Sequence, residues 1–337
     1  MDKSIIALAK HSHKLTKLQI MEVLQDSAYD EDLFAAADCV RRKYIGDLVK
    51  LIALVEFSNV CRNSCFYCGL RAANQKLTRY HLTFDEIYRH AQAAKAMGFS
   101  AIALQSGESS AYSYNDFIRI IRAIKAMDMK LILSCGELDA RDLVDFRRCG
   151  VDGYLLKIET TDQQLYADLH PKQNWMLRNN TVHLLSALGY YTATGNIIGL
   201  RGQSLESIAD DLLYFQRVNA DFIGIGPLMS HPETPLRGEP NGDINLVLKC
   251  MALSRLLNPK ADIVTTTALE ALAPDGQKRG LAAGANVVMP NITSEQVRKN
   301  YQLFKNKENT NIAVNGLQDI IRNIEQCGRR VPSCFKH

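Results

Sequence analysis

A chain of 337 residues, 47% hydrophobic and 23% charged, has an ordinary globular composition. It is too apolar for a disordered polymer, and no run approaches the roughly 18 uninterrupted apolar residues of a membrane helix. A net charge of +4, spread along the chain, argues against a nucleic-acid partner, and nine cysteines follow no disulfide-scaffold spacing.

The N-terminus has Lys3, Lys10 and Lys14 interrupting its apolar run. It lacks a signal-peptide core, so a cytoplasmic protein with reduced thiols and no membrane partner is expected. Residues 1–48 read as a helical extension, with Leu15, Leu18, Ile20, Val23 and Leu24 at helical intervals. From residue 49 an alternation sets in. Candidate strands fall at 51–57, 101–106, 130–134, 153–159, 191–198, 221–227, 261–266 and 286–290, with amphipathic stretches between them. Thr83 with Glu86 opens one such helix as a capping box, and Gly98 closes it; Ser113 and Ser204 open two more. Strand–helix units in series imply parallel strands, and eight of them close a barrel. The predicted fold is α/β, a (β/α)8 TIM barrel over 49–300 in a single domain, with a C-terminal helical tail (301–337) closing it. An open doubly wound sheet is the alternative. Catalytic groups belong at the C-terminal strand ends and in the loops that follow.

The first of those loops carries "VEFSNVCRNSCFYCGL", with Cys61, Cys65 and Cys68. Three readings compete. Structural zinc needs four closed ligands, and only the single His81 follows nearby. A redox pair would use Cys65 and Cys68 and leave Cys61 idle. A 4Fe–4S cluster on three thiolates leaves one iron open for a ligand.

The Cys-x3-Cys-x2-Cys spacing, with the aromatic Tyr67 before the last cysteine, resembles the signature of radical S-adenosylmethionine (SAM) enzymes. That resemblance implies one 4Fe–4S cluster on the three cysteines, its open iron chelating the amino and carboxylate groups of SAM. A low-potential electron donor would drive reductive cleavage to a 5′-deoxyadenosyl radical. It further implies a SAM pocket along the strand ends. Gly107 and Glu108 in "LQSGESS" look like the family's GGE element, with Ser106 at the first glycine. Ser134 ends the third strand and Glu159 the fourth, an acceptor for ribose hydroxyls or the ammonium. Arg178 would clamp a carboxylate, and "TGNIIGL" resembles a G-x-I-x-G element that brings Ile197 and Leu200 to the adenine. Each also has a plainer reading: a strand-end glutamate is often a structural ion-pair partner, and a helix arginine is often solvated.

Longer runs, "RYHLTFDEI", "GNIIGLRGQS", "DFIGIGPLMSHPETPLRGE" and "GANVVMPNIT", resemble the HydE family of FeFe-hydrogenase maturases, in the group that also holds biotin synthase and methylornithine synthase. The implied substrate is a cysteine-bound iron complex carrying CO and cyanide. It would be received from a partner radical enzyme and its product passed to a scaffold GTPase. Biotin synthase is disfavoured because "YYTATGN" carries no cysteine and Cys135 is the lone barrel-mouth thiol outside the triad. Candidate substrate-facing residues are Gln105, Lys157, Thr266, Thr267, Met289 and Tyr301. Being neutral or basic, they suit an anionic guest better than the dicationic substrate of a methylornithine synthase-like mutase. Lys157 could instead simply pair with Glu159 or Glu108, Met289 could fill core, Tyr301 could cap the barrel, and His231 reads as a turn residue. A non-catalytic metallocomplex carrier is the alternative from another class. Some members of the family hold a second cluster near the C-terminus; here Cys327 and Cys334 stand alone, so none is expected. Cys39, Cys149 and Cys250 read as packed apolar residues.

Overall fold

The computed structural model describes residues 4–307, 310 and 316–335. Parts of the expected tail, 308–309, 311–315 and 336–337, lie outside the described residues. Among the described residues nine strands form: β1 (Lys50–Leu51), β2 (Ala53–Ser58), β3 (Ala101–Ser106), β4 (Lys130–Ser134), β5 (Gly153–Leu155), β6 (Tyr191–Ile198), β7 (Phe222–Pro227), β8 (Asp262–Ile263) and β9 (Val287–Val288). β2 to β8 make one sheet in chain order, and every pairing is parallel.

The ends of that sheet meet through β9. It pairs with β1 and is bridged to the residue after β8 through Val264 and Val287. Because β1 and β2 are one strand interrupted at Ile52, the result is a closed barrel of eight parallel strands. The open doubly wound alternative is excluded, since no edge remains.

All eight predicted windows contain a strand, but three run shorter than expected. β5 stops at Leu155 because Ile158 N turns to the Thr194 hydroxyl and Glu159 adopts a left-handed φ of +67°. β8 stops at Ile263 because Thr266 instead caps the helix Thr267–Leu272, accepting from Leu269 N. β9 stops short of Pro290, which has no N–H for a ladder.

Alternation fills the two faces. Val55, Phe57, Ile102, Leu104, Leu131, Leu133, Ile223 and Ile225 point outward into the core shared with the helices. Ile52, Leu54, Ala103, Ile132, Ala193, Phe222, Val264 and Val287 point inward and plug the barrel. The expected capping boxes form at Thr83 with Glu86 and at Ser113 with Asp116, and Ser204 caps its helix through Ser207 N.

The N-terminal helices Lys17–Gln25 and Asp30–Tyr44 pack on the helices Leu205–Arg217 and Ile244–Leu257. Ile244–Leu257 is sandwiched between them and the barrel, and even its Lys249 is buried, paired with Asp30 at 2.8 Å and donating to Asp26 O at 3.0 Å. Cys39 is exposed, contrary to expectation, because the buried face of Asp30–Tyr44 runs through Leu33, Ala36, Ala37 and Val40. Cys250 is buried and Cys149 half-buried.

Beyond β9 the chain crosses the barrel mouth. Gly69 N donates to Leu303 O at 2.8 Å, and Lys307 forms an ion pair with Glu56, both side chains fully buried. Lys307→Met would strand the Glu56 carboxylate in the interior, at an expected cost of about 3–5 kcal/mol in urea unfolding, whereas Glu56→Leu/Lys307→Met together should recover most of it. A single-variant loss below about 1 kcal/mol, the size of a solvated surface pair, would contradict this burial.

Candidate active site

After Ser58 the chain leaves the sheet, and residues 59–74 form neither helix nor strand. Their backbone groups need other partners. Arg79 supplies several: Nη1 donates to the carbonyls of Asn59 (2.7 Å) and Leu70 (2.8 Å), and Nη2 to those of Arg71 (2.7 Å) and Asn74 (3.1 Å). Asn74 donates to Gly69 O and Asn59 to Thr78 O, each at 2.8 Å. The loop is tied outward by Arg62 N to Glu108 O at 2.7 Å and Phe66 N to Leu169 O at 2.9 Å. Packing is close enough to demand glycine at two points. A Cβ on Gly69 would lie 2.0 Å from Gln302 O, and one on Gly107 would lie 2.4 Å from Val60 O.

This loop carries Cys61, Cys65 and Cys68, all free thiols and all half-buried. Burial pushes each thiol up, Cys65 to about 12, and for Cys65 and Cys68 the neighbouring thiols add to the effect. A reactive redox pair needs the opposite, a lowered pKa. Among the described residues no three His, Cys, Asp or Glu side chains converge to hold a single metal ion. Three free thiols in one half-buried loop are a donor set that fits a 4Fe–4S cluster with one iron left open.

Several neighbours of the loop, Tyr166, His170 and Gln173 among them, are side chains that the sequence did not single out. The Tyr67 hydroxyl donates to His170 Nε2 at 2.7 Å, because His170 Nδ1 faces the Tyr166 carbonyl at 2.8 Å and carries the proton there. His170 stacks on the Tyr166 ring, with centroids 3.9 Å apart, and burial lowers its pKa to about 4. Gln173 Nε2 donates to Cys65 Sγ at 3.1 Å. Arg178 is buried, with Nε 3.3 Å from Glu137 Oε1 and donating to the Tyr166 hydroxyl at 3.3 Å. The carboxylate beside Arg178 is therefore one of the protein's own.

Glu108 is similarly occupied: Oε1 accepts from Arg62 Nε at 2.9 Å and Oε2 from Glu137 N at 2.7 Å. Glu159 projects differently. Its left-handed backbone is held against β6, with Glu159 N on Gly195 O and Ile197 N on Glu159 O, both 3.1 Å. The flanking Thr161 and Asn196 are both bonded to buried Asp211. The Glu159 carboxylate meets Lys157 Nζ at 3.0 Å.

A cavity of about 270 Å³ opens at the C-terminal strand ends. Tyr67, Cys68, Glu159 and Ile197 line it, together with Gln105, Lys157, Thr266, Thr267 and Met289. Three of the eight expected cofactor-binding residues and five of the six expected substrate-facing ones therefore line one space, while Gly107, Glu108 and Arg178 lie outside its lining. Tyr301 differs: it is buried beneath the cysteine loop with Leu70 and Leu77, beside Cys61 and Cys68, and does not line the cavity. Leu200 packs among Leu165, Leu169 and Leu236, one layer behind Ile197. Ser134 is half-buried at the end of β4, outside the cavity lining. His231 is a buried turn residue whose Nδ1 accepts from Glu233 N at 3.1 Å.

The chain matches the Radical SAM superfamily over residues 55–215. It is 42% identical to the "[FeFe] hydrogenase maturase subunit HydE" of Thermotoga maritima over 84% of this chain and 82% of that one. It is 31% identical to the "3-methylornithine synthase" of Methanosarcina acetivorans, over 79% of this chain and 75% of that one. A solved methylornithine synthase (PylB) superposes with a TM-score of 0.83 at 25% identity, covering 98% of each chain. The chain belongs to the radical SAM superfamily, in the HydE family, and is a radical SAM enzyme; membership implies a 4Fe–4S cluster and SAM. Among the described residues no helix is long and apolar enough to cross a membrane.

His170 gives this site a pH signature. An unfolded histidine takes its proton near pH 6.5, but the folded one resists until about 4. The unfolded state binds the proton first, so stability present above 6.5 is lost as pH falls towards 4, by up to about 3 kcal/mol. Urea unfolding at about pH 7 and about pH 5 should differ by about 2 kcal/mol, and His170→Asn should flatten the difference. An identical slope in the variant would mean another group is responsible.

Proposed function

We propose that this enzyme acts in FeFe-hydrogenase maturation, on a small sulfur-containing, cysteine-bound iron complex carrying CO and cyanide. The observation that carries the reading is the shared cavity. Cys68 and Tyr67 line the same mostly apolar cavity as Lys157, Thr266 and Thr267. Cys61, Cys65 and Cys68 would hold a single 4Fe–4S cluster, with Cys327 and Cys334 taking no part. Tyr67 and Ile197 would flank the adenine of SAM, the backbone at Gly107 would face its methionine, and Glu159 would accept from its hydroxyls or ammonium. When bound, the pair supplies one-electron reductive chemistry that yields a carbon-centred radical.

The protein's own contribution is to bind, orient and exclude water. Apolar walls of Leu54, Leu155, Phe222, Val264 and Met289 suit CO and cyanide ligands, which offer little hydrogen bonding. Lys157 offers a cation to an anionic complex. Glu159 is the single carboxylate among the described lining residues, and Lys157 already neutralises it. That is poor provision for a dicationic lysine and speaks against a methylornithine synthase-like mutase. A partner radical enzyme as supplier, a scaffold GTPase as acceptor and a low-potential electron donor complete the proposal.

Anaerobically reconstituted protein with excess reductant should convert SAM to 5′-deoxyadenosine. Cys65→Ala should lose iron and cleavage together. Glu159→Gln should keep the cluster but bind SAM roughly tenfold more weakly, the loss expected for a charge-assisted hydrogen bond. Iron-loaded protein that leaves SAM intact would instead be a carrier.

A further inference from the structure

We infer that a hydrogen-bond relay running from the Arg178 guanidinium through the Tyr166 hydroxyl and the Gln173 carboxamide to the Cys65 sulfur makes the cluster easier to reduce. This rests on the proposed reading that Cys65 is a cluster ligand. Arg178 Nε donates to Tyr166 Oη at 3.3 Å, Tyr166 Oη donates to Gln173 Oε1 at 3.4 Å, and Gln173 Nε2 donates to Cys65 Sγ at 3.1 Å.

The polarity of this chain is fixed by its ends. A guanidinium only donates, so the Tyr166 oxygen must accept from it. The single phenolic proton is then left for Gln173 Oε1, which turns Nε2 towards the sulfur. Burial holds the Tyr166 phenol up at about 12, so it keeps that proton. Burial works against the charge on Arg178, but Tyr166, Glu137 and Glu159 around it hold its pKa above the usual range. Every dipole in the relay therefore presents its positive end towards Cys65.

The geometry is rigid. Gln173 N donates to His170 O at 3.1 Å, and the Tyr166 ring is stacked on His170. Tyr166 and Arg178 are buried, where hydrogen-bond dipoles are poorly screened and polarise one another. Reduction passes one electron from an external low-potential reductant such as Ti(III) citrate to the loaded protein. No bond forms or breaks, and one unit of negative charge appears beside Cys65. Donors at the sulfur stabilise that extra charge, so the reduction potential rises.

Glu137, 3.3 Å from Arg178 Nε, offsets part of the guanidinium's charge but contacts neither Gln173 nor the sulfur in this arrangement. A relay serving only to pack the loop would leave the potential alone. Tyr166, Gln173 and Arg178 are on this account positioning residues, acting through Cys65 without touching the reacting atoms.

The test is a redox titration of anaerobically reconstituted protein without SAM, followed by electron paramagnetic resonance. Gln173→Met keeps length but removes the donor; Tyr166→Phe keeps the ring on His170 but cuts the relay. Both should hold wild-type iron. Gln173→Met should be about tenfold harder to reduce, a shift of about −59 mV for one electron, and Tyr166→Phe should shift less, with the same sign. Wild-type potentials in both iron-loaded variants would overturn the inference. If Gln173→Met loses its cluster, the Tyr166→Phe potential alone decides. Wild-type protein that takes up no cluster, or Cys65→Ala that retains one, would sink the underlying reading instead.

Discussion

One guanidinium takes the place of secondary structure where this protein needs it most. Arg79 gathers carbonyls from both ends of the cysteine loop, Asn59 at its start and Leu70, Arg71 and Asn74 at its exit. A helix there would direct successive side chains around an axis, and a strand would send alternate ones to opposite faces. At i, i+4 and i+7 a helix would set the three thiols in a row about 10 Å long on one face, and neither element would gather them round one compact volume. An irregular loop can do so, but only if its buried backbone groups find partners and its path is fixed. The near-collision of Gly69 with Gln302, and of Gly107 with Val60, shows how little room the loop has to move.

The barrel meets that loop by a simpler rule. Alternation along β3 sends Ala103 and Gln105 inward, and along β6 it sends Ala193, Gly195 and Ile197 inward. The segment following β5 continues with Lys157 and Glu159 in the same sense. The lower layers are aliphatic and filled. Higher up, Gly224 and Gly226 leave space, and Gly195 must be bare because a Cβ there would lie 2.0 Å from Gly224 O. The cavity is thus a layer of the barrel from which side chains have been withheld. It opens where the cysteine loop crosses the mouth, so a radical generated at the loop would have its target within the same walls.

Much of this was legible in the sequence. Eight strand windows, three helix caps and the cysteine triad are local patterns, and local patterns survive folding. Gln105, Lys157, Glu159, Thr266 and Met289 could be placed together because strand ends of a barrel share one face. What could not be read acts through tertiary contact. Arg79 and Gln173 carry no periodicity that marks them, and Asp211 on its helix looks like any solvated acid until Asn196 and Thr161 close over it. Tyr301 reads in the sequence as substrate-facing or as a cap on the barrel; the Lys307–Glu56 pair ties that segment down, and the ring lies with Leu70 and Leu77 against the cysteine loop. Strand ends shifted for equally specific reasons, a cap at Thr266 and a missing donor at Pro290.

The account stands on three sulfurs holding a cluster whose remaining iron faces the cavity. Mössbauer spectroscopy of protein loaded anaerobically with isotopically enriched iron, before and after SAM is added, tests this most directly. A single 4Fe–4S signal per chain in which one iron site alone shifts on adding SAM is the result expected. A spectrum indifferent to SAM, or one already showing four equivalent thiolate-bound irons, would mean that the open corner does not exist.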